Sequence, residues 1–490
     1  MKPLSICLVA SLISSSLAAR EPVIRLKVVG GENKTISYLR PVEGRYFPEL
    51  PKEDTLNEKG ELTLPNAETV AGAFLFVYHG GYRLYVEPGE SYTVTIDNKN
   101  KENPVMVEGP QQEAELALLK LNWGFSQKEG ASLYRQDPVF SNNKQKVMHQ
   151  LDSCVQPFEQ LYAAHKISKP FYAYAKSLIN NYYGSLLAST LIRPISSAVY
   201  NKDSAGYDAA ALRRLDDQVQ EAMKMINWAD PATLMTDTYQ EYLYFYQYMY
   251  LGYHLPQIKG EPFVKGTDNG ENIFISLEMN ITREPVREYT LALYLKTLLI
   301  ENRFQIYIPD LYKEFAGQYP HSRYIKLLAD GIDKVKNFDG LAKKELTPEQ
   351  RLIPDYDSIA TIDELLSKFR DKVIYIDMWA TWCGPCKEQF GFKKDIDPFF
   401  KSKGVDVVYI SLDRTSDKPK WINMIKYYNL EGYHVLASEK LAGDIYKTFG
   451  KHNSLMIPRY VICKDGKVIL KDAKRPQDKQ ALFKQIESVL

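Results

Sequence analysis

Cysteine is scarce in this chain: five in 490 residues, at positions 7, 154, 383, 386 and 463. An exported domain stapled by disulfides carries many more, so stability here has to come from packed apolar surface. There is one C-x-x-C and no second pair, and the seven histidines show no H-x3–5-H spacing. That argues against a zinc site, which needs a further pair of ligands at suitable spacing. An excess of charge is also missing. The 62 basic and 61 acidic residues leave a net charge of +1, without the basic stripe that nucleic-acid binding requires. Long apolar runs are absent beyond the extreme N-terminus. There Lys2 precedes an apolar run at residues 4–17, with small residues at Ser16 and Ala18. This pattern reads as a secretory signal peptide over residues 1–19. The run falls short of the roughly 20 residues of a membrane helix, although an uncleaved anchor stays open. No 34-residue consensus repeats along the chain, which argues against tetratricopeptide units.

What is present is a chain too long for one core, so several domains are expected. Residues 20–110 read as a β-rich module. Short alternating runs at 23–29, 61–64, 74–78, 82–86 and 91–96 are separated by Gly and Pro turns, the pattern of a small antiparallel sandwich. Residues 111–340 turn to helical spacing and read as an α-helical domain. The run Tyr239-Gln-Glu-Tyr-Leu-Tyr-Phe-Tyr-Gln-Tyr-Met-Tyr-Leu251 fits an aromatic helix packed on both sides, or a ligand-binding patch. Residues 334–351 are rich in charge and poor in large apolar side chains, which sets a linker at 341–351. Residues 352–490 mix strand and helix signals as an α/β domain. Thr361-Ile-Asp-Glu364 opens it as a capping box.

The chemistry gathers at Trp382-Cys383-Gly384-Pro385-Cys386. A buried-strand run, Val373-Ile-Tyr-Ile-Asp-Met-Trp379, precedes it, and a helical run from Lys387 follows. A helix N-terminus offers unpaired N–H groups and partial positive charge, both of which favour thiolate over thiol. At i, i+3 spacing the second sulfur reaches the first, so one cysteine attacks a partner disulfide and the other releases it. Of the other cysteines, Cys463 in a strand-like run and Cys154 on a helical segment read as buried, inert residues.

Several further residues carry a resemblance. Asp377 stands six residues before Cys383, Trp379-Ala380-Thr381-Trp382 leads into the motif, and Ile457-Pro458-Arg459-Tyr460-Val461 precedes the turn Lys464-Asp465-Gly466-Lys467. With these, residues 352–490 resemble the thioredoxin fold, and within it the TlpA/ResA-type thiol-disulfide oxidoreductases of bacterial envelopes. Extra strand and helix signals between Cys383 and Pro458, at 405–411, 418–429, 433–436 and 439–449, match the TlpA-like and peroxiredoxin-like branches. A C-G-P-C after Ala380-Thr381-Trp382, in place of a single peroxidatic cysteine, argues against a peroxidase. The chain departs from the family at two places. Gly391 replaces a helix-kinking proline, so a weakened helix is expected there. Tyr409 falls near the place of a buried lysine, so Asp377 should be less compensated and its pKa raised.

The resemblance implies roles. Cys383, the outer cysteine, is the nucleophile, and Cys386 resolves the mixed disulfide. Asp377 accepts the proton of Cys386, through water. A cis Ile457-Pro458 bond offers backbone to an incoming peptide, with Trp382, Gly384 and Pro385 lining the approach. Lys387 adds charge near the thiolate or is merely solvated on an exposed face. No cofactor or metal is implied. The implied setting is the periplasm or cell envelope, with disulfide-containing envelope proteins as substrates, apocytochrome c among them. A membrane electron donor of DsbD/CcdA type would keep the pair reduced. A binding protein whose redox domain is a sensor, and a disulfide isomerase, stay open as alternatives. The oligomeric state is not readable.

Overall fold

The computed structural model describes residues 21–490 except 50, 98, 101–103, 122, 201–207, 226–229, 246–268, 282, 301–303, 306 and 451–454. The expected signal segment and residues 246–251 of the aromatic run lie outside the described residues. No helix among the described residues is long and apolar enough to cross a membrane. The chain divides into two compact units, the first ending at Thr290 and the second running from Leu291 to Leu490.

In the first unit, eight short strands among the described residues precede the helices: β1 (Val23–Val28), β2 (Thr35–Leu39), β3 (Lys52–Thr55), β4 (Glu61–Pro65), β5 (Gly72–Val77), β6 (Gly81–Val86), β7 (Tyr92–Ile96) and β8 (Val105–Glu108). They form two four-stranded sheets, ordered β4-β1-β7-β8 and β3-β2-β5-β6. Strand alternation turns Ile24, Leu26 and Val94 of one sheet, and Ile36, Phe74 and Leu84 of the other, into a common core. One expectation needs correction: β1 and β7 run parallel, Leu26 opposite Val94, so the module is mixed rather than antiparallel. Of the intervening strands, β2, β3, β5 and β6 build the second sheet, and the connection through β5 and β6 lets β7 return in the direction of β1.

Among the described residues, the helices of this unit are α1 (Gln112–Leu119), α2 (Ser126–Gln136), α3 (Phe140–Ala163), α4 (Lys169–Ser189), α5 (Ile192–Tyr200), α6 (Ala209–Met223), α7 (Thr238–Tyr244) and α8 (Asn269–Asn280), with α9 (Val286–Ile300) crossing the division. Helix α4, capped where Ser168 Oγ accepts from Phe171 N, is buried along most of its length. Arg83 on β6 pairs bidentately with Asp237 before α7, at 2.8 and 2.6 Å. Within the aromatic run, Tyr239, Tyr242, Leu243 and Phe245 are buried, as in a packed helix.

The second unit opens with α10 (Ile308–Gln318) and α11 (Tyr324–Ala342). The charged stretch expected to link domains starts as the last turns of α11 and ends in β9 (Gln350–Leu352), which is hydrogen-bonded into the sheet that follows. That sheet has six strands in the order β14-β13-β10-β11-β12-β9, with β10 (Val373–Trp379), β11 (Asp406–Ser411), β12 (Gly432–Leu436), β13 (Arg459–Lys464) and β14 (Lys467–Leu470). Strands β9, β12, β11 and β10 are mutually parallel, β13 runs antiparallel to β10, and β14 runs antiparallel to β13.

Helices cover both faces of this sheet, which is why β10 reads as a continuous apolar run. The even-numbered residues of β10 pack with α12 (Ile362–Ser367) and α16 (Glu439–Phe449). Val373 and Tyr375 face α14 (Lys393–Lys403) and α17 (Lys479–Glu487). Thr361 caps α12 by accepting from Glu364 N at 3.2 Å, while Glu364 reaches back to Ala360 N at 2.9 Å. Helices α13 (Gly384–Gln389) and α15 (Lys418–Tyr427) complete the unit. At Gly391 the expected weakening takes the form of a 3-10 turn, Phe390–Phe392, between α13 and α14.

Candidate active site

Strand β10 ends at Trp379, and four residues later the chain starts a helix. Cys383 is the N-cap of α13, and its Sγ accepts a hydrogen bond from Cys386 N at 3.2 Å. The turn is closed by Cys383 N donating to Ala380 O at 3.0 Å. Pro385 sits in the first helical turn, where its missing N–H has no intrahelical partner to lose. The two sulfurs are joined as a disulfide, with Cα atoms 5.3 Å apart. Cys383 keeps 4% of its surface and Cys386 none, so the first is the outer sulfur. Trp382 beside it is 64% exposed.

Register fixes what lies opposite. Antiparallel pairing sets Met378 across from Arg459 and Asp377 across from Tyr460. Pro458 therefore stands at the same end of the sheet as the exit from β10, and the Ile457-Pro458 bond is cis. Both residues are half-buried. At the next turn, Asp465 and Gly466 take φ of 53° and 73°, the conformation a two-residue hairpin needs.

Asp377 is 3% exposed, and its Oδ1 has no hydrogen-bond partner among the described residues. Burial pushes its carboxyl up to about 8, and the charge of Lys393 pulls the other way. Pairing across four strands makes a row, His434–Tyr409–Asp377–Tyr460. His434 stacks on Tyr409 at 5.0 Å, and its Nε2 lies 2.8 Å from Leu430 O. Burial lowers the His434 pKa to about 4. The phenols of Tyr375, Tyr409 and Tyr460 are all raised by burial.

The sequence offers Tyr409 where a cation was expected, and the structure supplies one from another element. Lys393, at the start of α14, is 7% exposed. Its Nζ donates to Asn429 O at 2.9 Å, lies 3.3 Å from Asp397 Oδ2, and stands 5.8 Å from the centre of the Tyr409 ring. A lysine three residues past an aromatic on a helix reads as surface, so nothing in the sequence marked it.

Lys387 requires a correction. It is 5% exposed rather than solvated, and its Nζ donates to Thr381 O at 3.2 Å. Asp413, which no motif singled out, is also buried and accepts from Thr381 N and Oγ1. Cys463 is fully buried as expected, its thiol pushed up to about 12 by burial. Cys154 is half-buried, with Sγ 3.3 Å from Tyr183 OH. Among the described residues no cluster of His, Cys, Asp and Glu could hold a metal ion.

Comparison with known proteins fits this geometry. Residues 362–490 match the Redoxin family. A thiol-disulfide oxidoreductase ResA of Bacillus thuringiensis subsp. konkukian is 32% identical over 127 residues, which are 25% of this chain and 67% of that protein. A ResA of Bacillus cereus matches to the same extent. Among solved structures, the thioredoxin domain of a thiol-disulfide oxidoreductase from Bacteroides vulgatus aligns at 18% identity, covering 25% of this chain and 81% of that one, with a TM-score of 0.20. The C-terminal region of the chain has a thioredoxin-like fold, and the chain belongs to the ResA-like thiol-disulfide oxidoreductases of the thioredoxin superfamily.

Proposed function

We propose that this chain reduces disulfides of proteins in the cell envelope through Cys383 and Cys386, and that residues 352–490 are the module that does so. The observation that carries the reading is the disulfide at the start of α13, its outer sulfur on Cys383 and a cis proline at the same end of the sheet. In the reduced chain the Cys383 thiolate attacks one sulfur of a substrate disulfide. A mixed disulfide forms between Cys383 and that sulfur, the substrate S–S bond breaks, and the other substrate sulfur leaves as a thiolate that takes a proton from water. Cys386 then gives its proton through water to Asp377 in its ionised form, the minority form at pH 7 and half of the chains at about pH 8, and attacks the Cys383 sulfur. The substrate sulfur that Cys383 held leaves as a thiolate and is protonated from water, and two electrons have passed to the substrate. The chain is left as the Cys383–Cys386 disulfide. Asp377 then holds a proton, in keeping with a carboxyl pushed up to about 8, and returns it to Cys386 when the pair is reduced again.

That recharging needs an outside dithiol, for which a membrane donor of DsbD/CcdA type is the proposed partner. Oxidised apocytochrome c is one substrate that fits the family. The backbone at Ile457 is offered to the substrate peptide as an added strand edge, with Trp382, Gly384 and Pro385 on its approach.

Full-length Cys386→Ser should trap substrates on Cys383 as mixed disulfides that dithiothreitol releases. Equilibration with dithiothreitol should give a potential near that of thioredoxin, about −270 mV. A value near about −120 mV would make the chain an oxidant of its partners. No trapped species and no exchange would sink the reading.

A further inference from the structure

We propose that Thr381, held between Asp413 and Lys387, is the positioning residue that presents Cys383 for exchange. The inference rests on the reading of Cys383 as the attacking sulfur. Three residues, Ala380, Thr381 and Trp382, link the last residue of β10 to Cys383, and a connection this short aims the sulfur only if its own backbone is fixed. Parallel pairing sets Ser411 beside Trp379, and Leu412 N donates to Trp379 O at 2.9 Å. The chain leaving β11 is thereby carried past the loop that leaves β10, which brings Asp413 to Thr381.

Every polar group of Thr381 is engaged there. Its N–H lies 3.1 and 2.9 Å from the two Asp413 oxygens, and its hydroxyl donates to Oδ1 at 2.8 Å. Its carbonyl accepts from Lys387 Nζ at 3.2 Å. Ser411 Oγ completes the carboxylate, donating to Oδ2 at 2.6 Å. Thr381, Asp413, Lys387 and Ser411 are each 5% exposed or less. A buried carboxylate and a buried ammonium on either side of one residue are costly to desolvate, and apolar side chains would fill the space with less penalty. What this pair supplies is a fixed geometry two residues before Cys383, tied to the helix that carries it, since Lys387 N also donates to Cys383 O at 3.3 Å. Charge-assisted hydrogen bonds suit that task because they are short and directional.

The charged side chains on the elements meeting here are Asp377 on β10, Asp413 and the exposed Arg414 after β11, Lys387 and Glu388 on α13, and Arg459 on β13, while Asp406 on β11 and Lys464 on β13 pair with the far end of β10. Arg459 is engaged with Asp472 at 2.8 Å, and Glu388 is exposed. Lys387 is thus the buried cation on the turn that bears Cys383, and its orientation toward the Thr381 carbonyl keeps it there.

The test uses the full-length chain, reduced, with iodoacetamide modification of the Cys383 peptide followed by mass spectrometry across pH. Thr381→Val removes the hydroxyl at nearly constant shape, Thr381→Ser keeps it, and Lys387→Met removes the charge at similar length. Thr381→Val and Lys387→Met should each raise the pH midpoint of Cys383 modification. Each should also slow exchange with a model disulfide about tenfold, the order expected for one charge-assisted hydrogen bond. Thr381→Ser should stay within about twofold of the wild type. A wild-type midpoint and rate in folded Thr381→Val and Lys387→Met would overturn the proposal. If Thr381→Val does not fold, Lys387→Met alone decides. If Cys386 rather than Cys383 is modified first in the wild type, the nucleophile assignment fails instead.

Discussion

Replacing Asp377 by asparagine isolates a charge effect whose sign and window follow from two buried groups. The Asp377 carboxyl is pushed up to about 8 by burial, from an ordinary value of 3.8, with Lys393 acting in the opposite sense. The folded chain therefore keeps a proton that the unfolded chain releases. Its contribution to stability is complete below about 4 and is lost as the pH rises through about 8. His434 carries the opposite sign, because burial lowers its pKa to about 4 from 6.5. Its contribution is complete above about 6.5 and is lost as the pH falls through about 4. Between those values the two slopes cancel, one proton held against one refused. From about 6.5 to 8 Asp377 acts alone, at about 1.4 kcal/mol per pH unit, so about 2 kcal/mol is lost across that window. Asp377→Asn removes its slope throughout. Hydrogen exchange of the β10 amides reads this, because a central strand exchanges only through large openings. The ratio of wild-type to Asp377→Asn protection at the same pH cancels intrinsic exchange. It should fall about tenfold per pH unit between about 4 and 8. A ratio that does not change with pH refutes the assignment of a neutral buried carboxyl.

Lys393→Met should raise the midpoint of Asp377 by about one unit, and Asp397→Asn, which frees the Lys393 charge, should lower it. Both shifts are measurable from the carboxyl stretch in infrared spectra taken across pH. In the reduced native chain at pH 8, iodoacetamide should modify Cys383 quickly and leave Cys463 untouched until denaturant is added, since burial keeps its thiol protonated up to about 12. Gly432→Ala should destabilise the second unit by about 2–3 kcal/mol. Gly432 has φ of 144°, and a Cβ there would lie 2.5 Å from Val407 O. Thermal unfolding followed at β11 and β12 by hydrogen exchange checks it.

The legibility of this chain varies with how local each determinant is. β10, the C-G-P-C turn and the Asp465-Gly466 hairpin could be read directly, because an apolar run, a capping position and a turn dipeptide act over a few residues. β3 could not: Lys-Glu-Asp-Thr at Lys52–Thr55 is mostly exposed, and only its pairing with β2 makes it a strand. β2 and β8 are similarly short and went unread. The parallel direction of β7 beside β1 depends on the path of the connection, which alternation does not encode. The candidate site divides in the same way. Cys383, Cys386, Asp377 and Pro458 stand at family spacing. Asp413 and Lys393 reach the site through strand register and helix placement, so their sequence neighbourhoods look like ordinary surface.

The row across the sheet has a consequence for the proposed exchange. His434, its pKa lowered to about 4, is neutral near pH 7, and the Tyr409 and Tyr460 phenols are held protonated by burial. Asp377 is then the member of the row whose charge changes within about one unit of pH 8. Two tyrosines flank it in register, Tyr409 on one side and Tyr460 on the other. Neither offers a competing proton at that pH, and neither adds a charge that would stabilise the carboxylate. Aliphatic residues in the same positions would also leave Asp377 undercompensated. The ring of Tyr409 does more, because it extends toward Lys393 and keeps that cation against its face. The carboxyl is thereby raised far enough to carry a proton at neutral pH, yet not so far that it could never release one. A group poised in that interval is the kind required to take the Cys386 proton in one direction of exchange and return it in the other.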